Sequence, residues 1–433
     1  MPAYCAIDFG TSNSAIAIPA GGGATRLVPL EDGQRTMPTA VFYAPEGPMA
    51  TTRSYGRAAI AAYVDGVEGR LMRSMKSILG SDLVERSTDI GGGHAVKYFD
   101  VVAGYLLRLK RLAEAELGAP IARAVLGRPV FFVDDDPARD AKAQVVLDAA
   151  ARAAGFTETS FQYEPIAAAF DYEQTVSREQ VVLVCDIGGG TSDFSVVRVG
   201  PQRLRRLERK DDILANHGVH VAGTDFDRRI ELERMLGEFG YRSLGPALPG
   251  AAPREVPSGV YFDLATWHLI NTVYSPQRVA ELRAMRAFYA DARQHRRLMA
   301  VLDQHLGHDL LARAEAAKIA VAGGAAARID LTPVEAGLAL TLTEVQAVEA
   351  IAADLERIVA AAERTVADAG LAPQGIAALY FTGGSTGLRQ LGVRLQAQFP
   401  AARAVAGDRF ASVASGLGLH AARRYGGASA ALR

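Results

Sequence analysis

Val184-Cys185-Asp186-Ile187-Gly188-Gly189-Gly190-Thr191-Ser192-Asp193 runs on into Phe194-Ser195-Val196-Val197. An apolar run meets a glycine-rich turn at an aspartate, and a second apolar run leaves it, which is the pattern of a β-hairpin. The start of the chain carries the same chemistry: Ala6-Ile7-Asp8-Phe9-Gly10-Thr11-Ser12-Asn13-Ser14, then Ala15-Ile16-Ala17-Ile18. Asp186 lies 178 positions after Asp8 and Ser192 lies 180 after Ser12, a difference that reads as two extra glycines in the second turn. One such turn is weak evidence of anything. Two copies this far apart predict a pair of related lobes.

The turns have a physical use. Glycine admits positive φ and has no Cβ, so backbone N–H groups can approach an anion closely. Thr11, Ser12, Thr191 and Ser192 add hydroxyl donors. An aspartate at the mouth of each turn would repel a bare phosphate. Asp8 and Asp186 facing each other make sense with a hydrated Mg²⁺ between them, bridging to phosphate.

The composition permits such a protein. The 433 residues are 49% hydrophobic and 22% charged, values that exclude a disordered, collagen-like or coiled-coil chain and predict two to four domains or subdomains. With 47 Lys+Arg against 48 Asp+Glu there is no basic excess for nucleic acid. No apolar run approaches a membrane span, and the first residues lack the pattern of a signal peptide. Cys5 and Cys185 are too few for a disulfide framework, so a cytoplasmic protein is expected, with both thiols buried in the twin strands.

Periodicity predicts helices over 97–117, 139–154, 164–173, 342–370 and 413–424, and a long helical stretch over 263–323. Strands are expected at 124–133, broken at Pro129, and at 377–381 before Gly383-Gly384; 34–48 and 237–258 read as turn- or loop-rich. Strands alternating with helices in both halves predict an α/β architecture. Arg203–Lys210 reads as an exposed strand, Asp134-Asp135-Asp136 as solvated acids, and His305 and His308 as surface histidines.

Taken together, these motifs resemble the ATPase superfamily of actin, sugar kinases and DnaK-type 70 kDa heat-shock chaperones. The chaperone ATPase domain is the nearer match, and within it the YegD-like branch. Asp8–Ser14 and Asp186–Asp193 resemble its two phosphate loops, and Tyr163-Glu164-Pro165-Ile166-Ala167-Ala168-Ala169 its Asn-Glu-Pro-Thr-Ala-Ala-Ala helix. His220-Val221-Ala222-Gly223-Thr224-Asp225-Phe226-Asp227 resembles its His-Leu-Gly-Gly-Glu-Asp-Phe-Asp, and Thr382-Gly383-Gly384-Ser385-Thr386 its adenosine loop. The motifs fall in family order over nearly the whole chain.

The resemblance implies a two-lobed actin-like α/β fold with duplicated ribonuclease-H-like lobes and a central nucleotide cleft. Lobe I would span 1–175 with an insert at 39–99, and lobe II 176–433 with an insert at 229–314. It implies ATP or ADP with Mg²⁺, the metal held through water by Asp8 and Asp186. Lys76, Glu164, Thr191 and Asp193 would be catalytic, Lys76 offsetting phosphoryl charge while Glu164 and Asp193 order water. By itself Lys76 reads as a solvated surface lysine. Gly10, Thr11, Ser12, Asn13, Gly188, Gly189, Gly190 and Thr191 would hold phosphate, Glu315, Lys318, Gly383, Gly384 and Ser385 the nucleoside, and Gly223 would belong to the same nucleotide site. Pro129 and Arg139 resemble the pair that relays nucleotide state. A monomer working with a protein client or co-chaperone is expected, with no nucleic acid and no membrane.

Departures from the family pattern are equally specific. Its adenine-side Glu-x-x-Lys-Arg-x-x-Ser keeps Glu315 and Lys318 but has Ile319 and Ala322, and Gly387 replaces an arginine with Arg389 nearby. The sequence given ends at Arg433, so the family's peptide-binding domain is expected to be absent. Rival readings are a small-molecule kinase, an actin-like filament protein, and a nucleotide-switched binding module with negligible turnover. Gly383-Gly384-Ser385-Thr386-Gly387 followed by Asp408 and His420 also matches an α/β-hydrolase triad. Gly416-Leu417-Gly418-Leu419-His420-Ala421 matches a dinucleotide fingerprint, but inside a helical stretch it reads as a close-packing helix. No Walker-type Gly-x-x-x-x-Gly-Lys-Ser/Thr is present, which excludes a P-loop NTPase.

Overall fold

The computed structural model describes residues 3–46, 50–134, 136–247, 252–408 and 411–426. Asp135 and the middle of the 237–258 loop therefore lie outside the described residues. Each hairpin read from the sequence forms, and each seeds its own mixed sheet. In the first, β1 (Ala3–Phe9), β2 (Asn13–Gly21), β3 (Ala24–Leu27), β4 (Ile121–Arg128) and β5 (Glu158–Tyr163) lie in the order β3-β2-β1-β4-β5. In the second, β6 (Gln180–Ile187), β7 (Ser192–Val199), β8 (Ile213–Val219), β9 (Ala378–Thr382) and β10 (Arg403–Ala406) lie in the order β8-β7-β6-β9-β10. The connectivity is the same: an antiparallel meander on one side of the leading strand, two parallel strands on the other. Parallel neighbours need long crossovers, and helices supply them.

In the first half these are α1 (Tyr98–Leu117) and α2 (Pro137–Ala153). Gly118 ends α1 at φ 72, and α2 starts where Asp136 accepts from Arg139 N ahead of Pro137. α3 (Glu164–Glu173) joins the halves; α4 (Gly223–Ile230), α5 (Gly307–Val321), α6 (Ala352–Asp368) and α7 (Arg389–Gln398) belong to the second. The last helix, α8 (Ser412–Tyr425), returns to lie on α3 and the strands of the first sheet.

Between the two sheets lies one apolar layer. Ala6, Ala17 and Val125 of the first sheet and Val182, Val184 and Val197 of the second bury against α3 and α8. The packing leaves no room for side chains: a Cβ on Gly416 would sit 1.9 Å from Ala167 O. The glycines of the apparent dinucleotide fingerprint therefore serve helix packing.

Four sequence expectations change. The 263–323 stretch is broken into Gly259–Leu264, Pro276–Ala284, Ala292–Asp303 and α5, with Pro276 opening one helix and His305 at φ 55 between two others. The 342–370 helix divides into Glu344–Ala350 and α6 at Ile351. Residues 203–210 form a turn and irregular loop, not an exposed strand, and Arg209 is fully buried between Glu173 and Asp212. His308 is buried as well, against Tyr63 and Trp267.

Strand register corrects the alignment of the two hairpins. Phe9 pairs with Ser14 and Asp8 with Ala15, while Ile187 pairs with Ser192 and Asp186 with Asp193. Both turns thus hold four residues, Gly10–Asn13 and 188–191, so Gly189 and Gly190 are not insertions but stand where the first turn has Thr11 and Ser12. Ser192 corresponds to Ser14, not Ser12. Both are buried and structural, Ser14 sharing a 2.8 Å hydrogen bond with Thr39 Oγ1 and Ser192 donating to Val221 O at 2.7 Å. Ser192 is thereby removed from the hydroxyl donors expected of the turn.

Candidate functional site

The two turns face each other. A Cβ on Gly189 would lie 3.1 Å from Ser12 Oγ, although the residues are 177 positions apart. Glycine is required within the turns too: a Cβ on Gly10 would strike Asn13 O at 2.2 Å. The second turn is braced from outside. Thr224 N and Oγ1 both donate to Gly189 O at 2.8 Å, and Ser385 Oγ donates to Gly188 O at 2.7 Å. Gly383, at φ 87, lets its loop run against Ile187 O, 2.4 Å from where a Cβ would be.

A cavity of about 670 Å³ opens between these turns, within the roughly 300–1,000 Å³ usual for ligand pockets. Asp8, Gly10, Thr11, Ser12, Asn13 and Lys76 line it from the first half, and Glu164 from α3. Asp186, Gly188, Gly189, Gly190, Thr191, Asp193, Gly223, Glu315, Lys318, Gly383, Gly384 and Ser385 line it from the second. The residues expected to hold metal, phosphate and nucleoside or to act on them therefore border one space, while Ser192 and Arg139 do not.

At its floor Lys76 Nζ donates to Glu164 Oε1 at 2.5 Å. Lys76 reaches there from a short 3-10 turn, Met75–Ile78, entered through Ser74 in the left-handed region at φ 54. Asp186 and Asp193 are direct partners across the β6–β7 hairpin, and Thr191 Oγ1 donates to Asp193 Oδ2 at 2.8 Å. Lys76 is one cation among four carboxyl groups, those of Asp8, Glu164, Asp186 and Asp193. Burial, helped by Glu164 and Asp186, pushes the Asp8 carboxyl up to about 8. Burial, then Asp193 and Glu164, pushes Asp186 up to about 7, and burial also raises Asp193. For Lys76 burial acts downward, but Glu164 and Asp8 outweigh it and its pKa is raised.

This excess of buried negative charge fits a cation. Among the described residues no three acidic, histidine or cysteine side chains stand close enough to ligate one ion together. The donor set therefore fits a cation that keeps its own water, held by carboxylates at one remove, as Mg²⁺ prefers.

On the far side of the cavity Lys318 Nζ pairs with Asp227 Oδ1 at 2.7 Å and donates to Gly223 O at 3.2 Å. Ile319, Ala322, Gly387 and Leu388 give that wall an apolar surface, with Ile319 64% exposed. Arg389 is turned away, held by Glu344 at 2.6 Å. Pro129 borders the cavity, while Arg139 donates to Gly80 O at 3.2 Å.

Several lining residues escaped the sequence reading. Thr224 and Asp227 lie in the His220–Asp227 stretch that drew attention only to Gly223. Phe131 and Asp134 line the cavity beside Pro129, as do Ser195 and Asn216, joined by a 2.7 Å hydrogen bond between β7 and β8. No local pattern marks those four. The hydrolase triad does not form: Ser385 donates to Gly188 O, and buried His420 bonds Gln162 at 3.0 Å.

The mixed α/β architecture, with several sheets and thirteen α-helices among the described residues, is consistent with an actin-like ATPase fold. A family model described as Hsp70 protein matches residues 4–243, more than half of the chain. The chain belongs to the Hsp70 family. No described helix is long and apolar enough to cross a membrane.

Proposed function

We propose that this protein binds ATP and hydrolyses it with Mg²⁺, and that the resulting movement of two lobes is its output. Lobe I is taken as 1–175 with its insert at 39–99, lobe II as 176–433 with its insert at 229–314. The separate cores around β1 and β6 support that division. The observation that carries the reading is the Lys76–Glu164 ion pair, surrounded by Asp8, Asp186 and Asp193 and flanked by both glycine turns.

In this reading Asp8 and Asp186 hold the metal through water, and a bound Mg²⁺ would supply charge neutralisation for phosphate. Glu164 accepts from Lys76 and, with Asp193, orients the attacking water. Lys76 presents its charge where negative charge grows on the transferring phosphoryl group, a stabilising role that needs no proton transfer. Thr11 and Thr191, with the N–H groups of residues 10–13 and 188–190, hold the phosphates. Gly223, Glu315, Lys318 and the Gly383–Ser385 loop hold the nucleoside. With Lys318 already paired to Asp227 and Ile319 open to the cavity, the base is held mainly by apolar contact, so discrimination among bases is weak.

A triphosphate touching residues from both lobes binds the closed arrangement better and shifts the population toward it. Small-angle scattering with ADP and with a non-hydrolysable ATP analogue, each with Mg²⁺ at demonstrated saturation, tests this directly. Two distinct profiles are expected, collapsing to one in Asp186→Asn. Identical profiles in the unaltered protein would remove the switch, and absence of saturable nucleotide binding would remove the whole reading.

A further inference from the structure

Glu231 is fully buried, and among the described residues neither of its carboxyl oxygens has a hydrogen-bond partner. A charged carboxylate so placed would be costly, which favours the neutral acid. Glu231 closes α4 and opens a single π-turn, Glu231–Met235, whose Leu232 and Met235 belong to the apolar core of the second half. Such turns are rare and recur at functional sites. Glu231 N donates to Asp227 O, so helical spacing is kept and the two acids stand on one face, one turn apart.

Asp227 borders the cavity, and Glu231 stands behind it. Asp227 is itself buried and pairs with Lys318 Nζ at 2.7 Å, while Lys318 also donates to Gly223 O at 3.2 Å. The Lys318 ammonium is thus engaged by the wall of the cavity it lines. To reach a nucleoside hydroxyl it must let go of Asp227, which would then be a buried carboxylate without a partner. An acid O–H one turn away changes that outcome, because it can donate to Asp227 in place of the ammonium. Burial, then the Asp227 charge, raises the Glu231 carboxyl well above the ordinary carboxyl range. The other titratable groups around the pair are Asp225 and Glu315, whose charges act on Asp227, and Tyr274, whose hydroxyl senses the Glu231 charge and accepts from Gly307 N at 2.8 Å. None of them hydrogen-bonds Glu231.

We propose that Glu231 is a protonated acid whose O–H takes over Asp227 when Lys318 turns to a nucleoside in the cavity, which makes Glu231 a positioning residue for Lys318. This deepens the ATPase reading above and rests on it for the ligand. The proton stays on Glu231 throughout; only its hydrogen bond forms and breaks.

The test uses the full chain and titration calorimetry of ADP with Mg²⁺. Glu231→Leu removes the donor, and affinity is expected to fall roughly tenfold, the effect of losing one hydrogen bond to a charged group. Glu231→Gln carries an amide N–H where the acid has its O–H and should restore most of that loss. In an Asp227→Asn background Lys318 has no carboxylate to leave, so Glu231→Leu should cause no further loss. An equal loss in both backgrounds would overturn the proposal, as would undiminished affinity in Glu231→Leu. Should Glu231→Leu not fold, infrared difference spectra decide. A protonated-carboxyl band must be present in the unaltered protein, be missing from Glu231→Gln, and move to lower frequency when ADP binds. Absence of that band, or a band unmoved by saturating ADP, sinks the proposal. Failure of the unaltered chain to bind ADP counts against the ATPase reading, whereas the carboxyl band recorded without nucleotide judges the proton on Glu231 independently.

Discussion

Lys76 Nζ lies 2.5 Å from Glu164 Oε1, joining the short turn Met75–Ile78 to the helix that connects the two halves. Both side chains are largely shielded, and among the described residues no ion pair joins Asp8, Asp186 or Asp193 to another cation. The pair is therefore held by the charge of the whole group, and changing either member alters the field felt by all of it.

The first expectation concerns turnover. Lys76→Ala should lower the single-turnover rate of ATP hydrolysis by roughly 10²–10³-fold, the cost of losing one preorganised electrostatic donor. Nucleotide affinity, measured by titration calorimetry, should change far less. Undiminished hydrolysis would remove Lys76 from the chemistry.

Stability should depend on pH in a particular direction. Asp8 and Asp186 have folded-state pKa values raised to about 8 and 7, against an ordinary 3.8. The folded protein then holds more protons than the unfolded chain, so stability falls as pH rises toward 8. His308 and His420 act oppositely, since burial lowers both to about 4, but their contribution to this pH dependence fades as pH passes the ordinary histidine value of 6.5. From pH 6.5 to 8.5 the melting temperature of the nucleotide-free protein should fall. Asp8→Asn should flatten that slope, and saturating Mg²⁺ with ADP should do so as well.

Arg209 is a fully buried charge. It bonds both Glu173 oxygens at 2.9 and 3.0 Å and also pairs with Asp212, with all three side chains at most 1% exposed. Arg209→Met leaves buried Glu173 without its guanidinium and Asp212 with Arg203 alone. A loss of about 3–5 kcal/mol in urea denaturation is expected, and a loss under 1 kcal/mol would show that water reaches the acids.

Two glycines in helices should answer alanine in opposite ways. At Gly416 the new methyl would collide with the backbone of α3, 1.9 Å from Ala167 O, and a loss of about 1–3 kcal/mol is expected. At Gly392 nothing lies within 4 Å, so helix propensity alone operates and Gly392→Ala should gain about 0.5–1 kcal/mol. Thermal melts of both variants check the contrast.

Much of this protein could be read along the chain, because the deciding signals are local. An aspartate before a glycine turn between apolar runs folds as a hairpin wherever it stands, so Asp8 and Asp186, both turns and the candidate site residues were visible before any contact was known. Helices opened by a proline, such as Pro137–Ala153 and Glu164–Glu173, were visible for the same reason. Whatever depended on a distant partner was hidden. Strand register, set by cross-strand pairing, decided that both turns have equal length and that Ser192 is structural. Burial against Glu173 and Asp212 turned an apparently exposed Arg209 into a core residue, and packing on Tyr63 and Trp267 did the same for His308. Polarity along a sequence records what a side chain can do in water. Whether it meets water or a partner 200 residues away is settled only when the chain closes on itself, since desolvation and pairing exist only in the folded state.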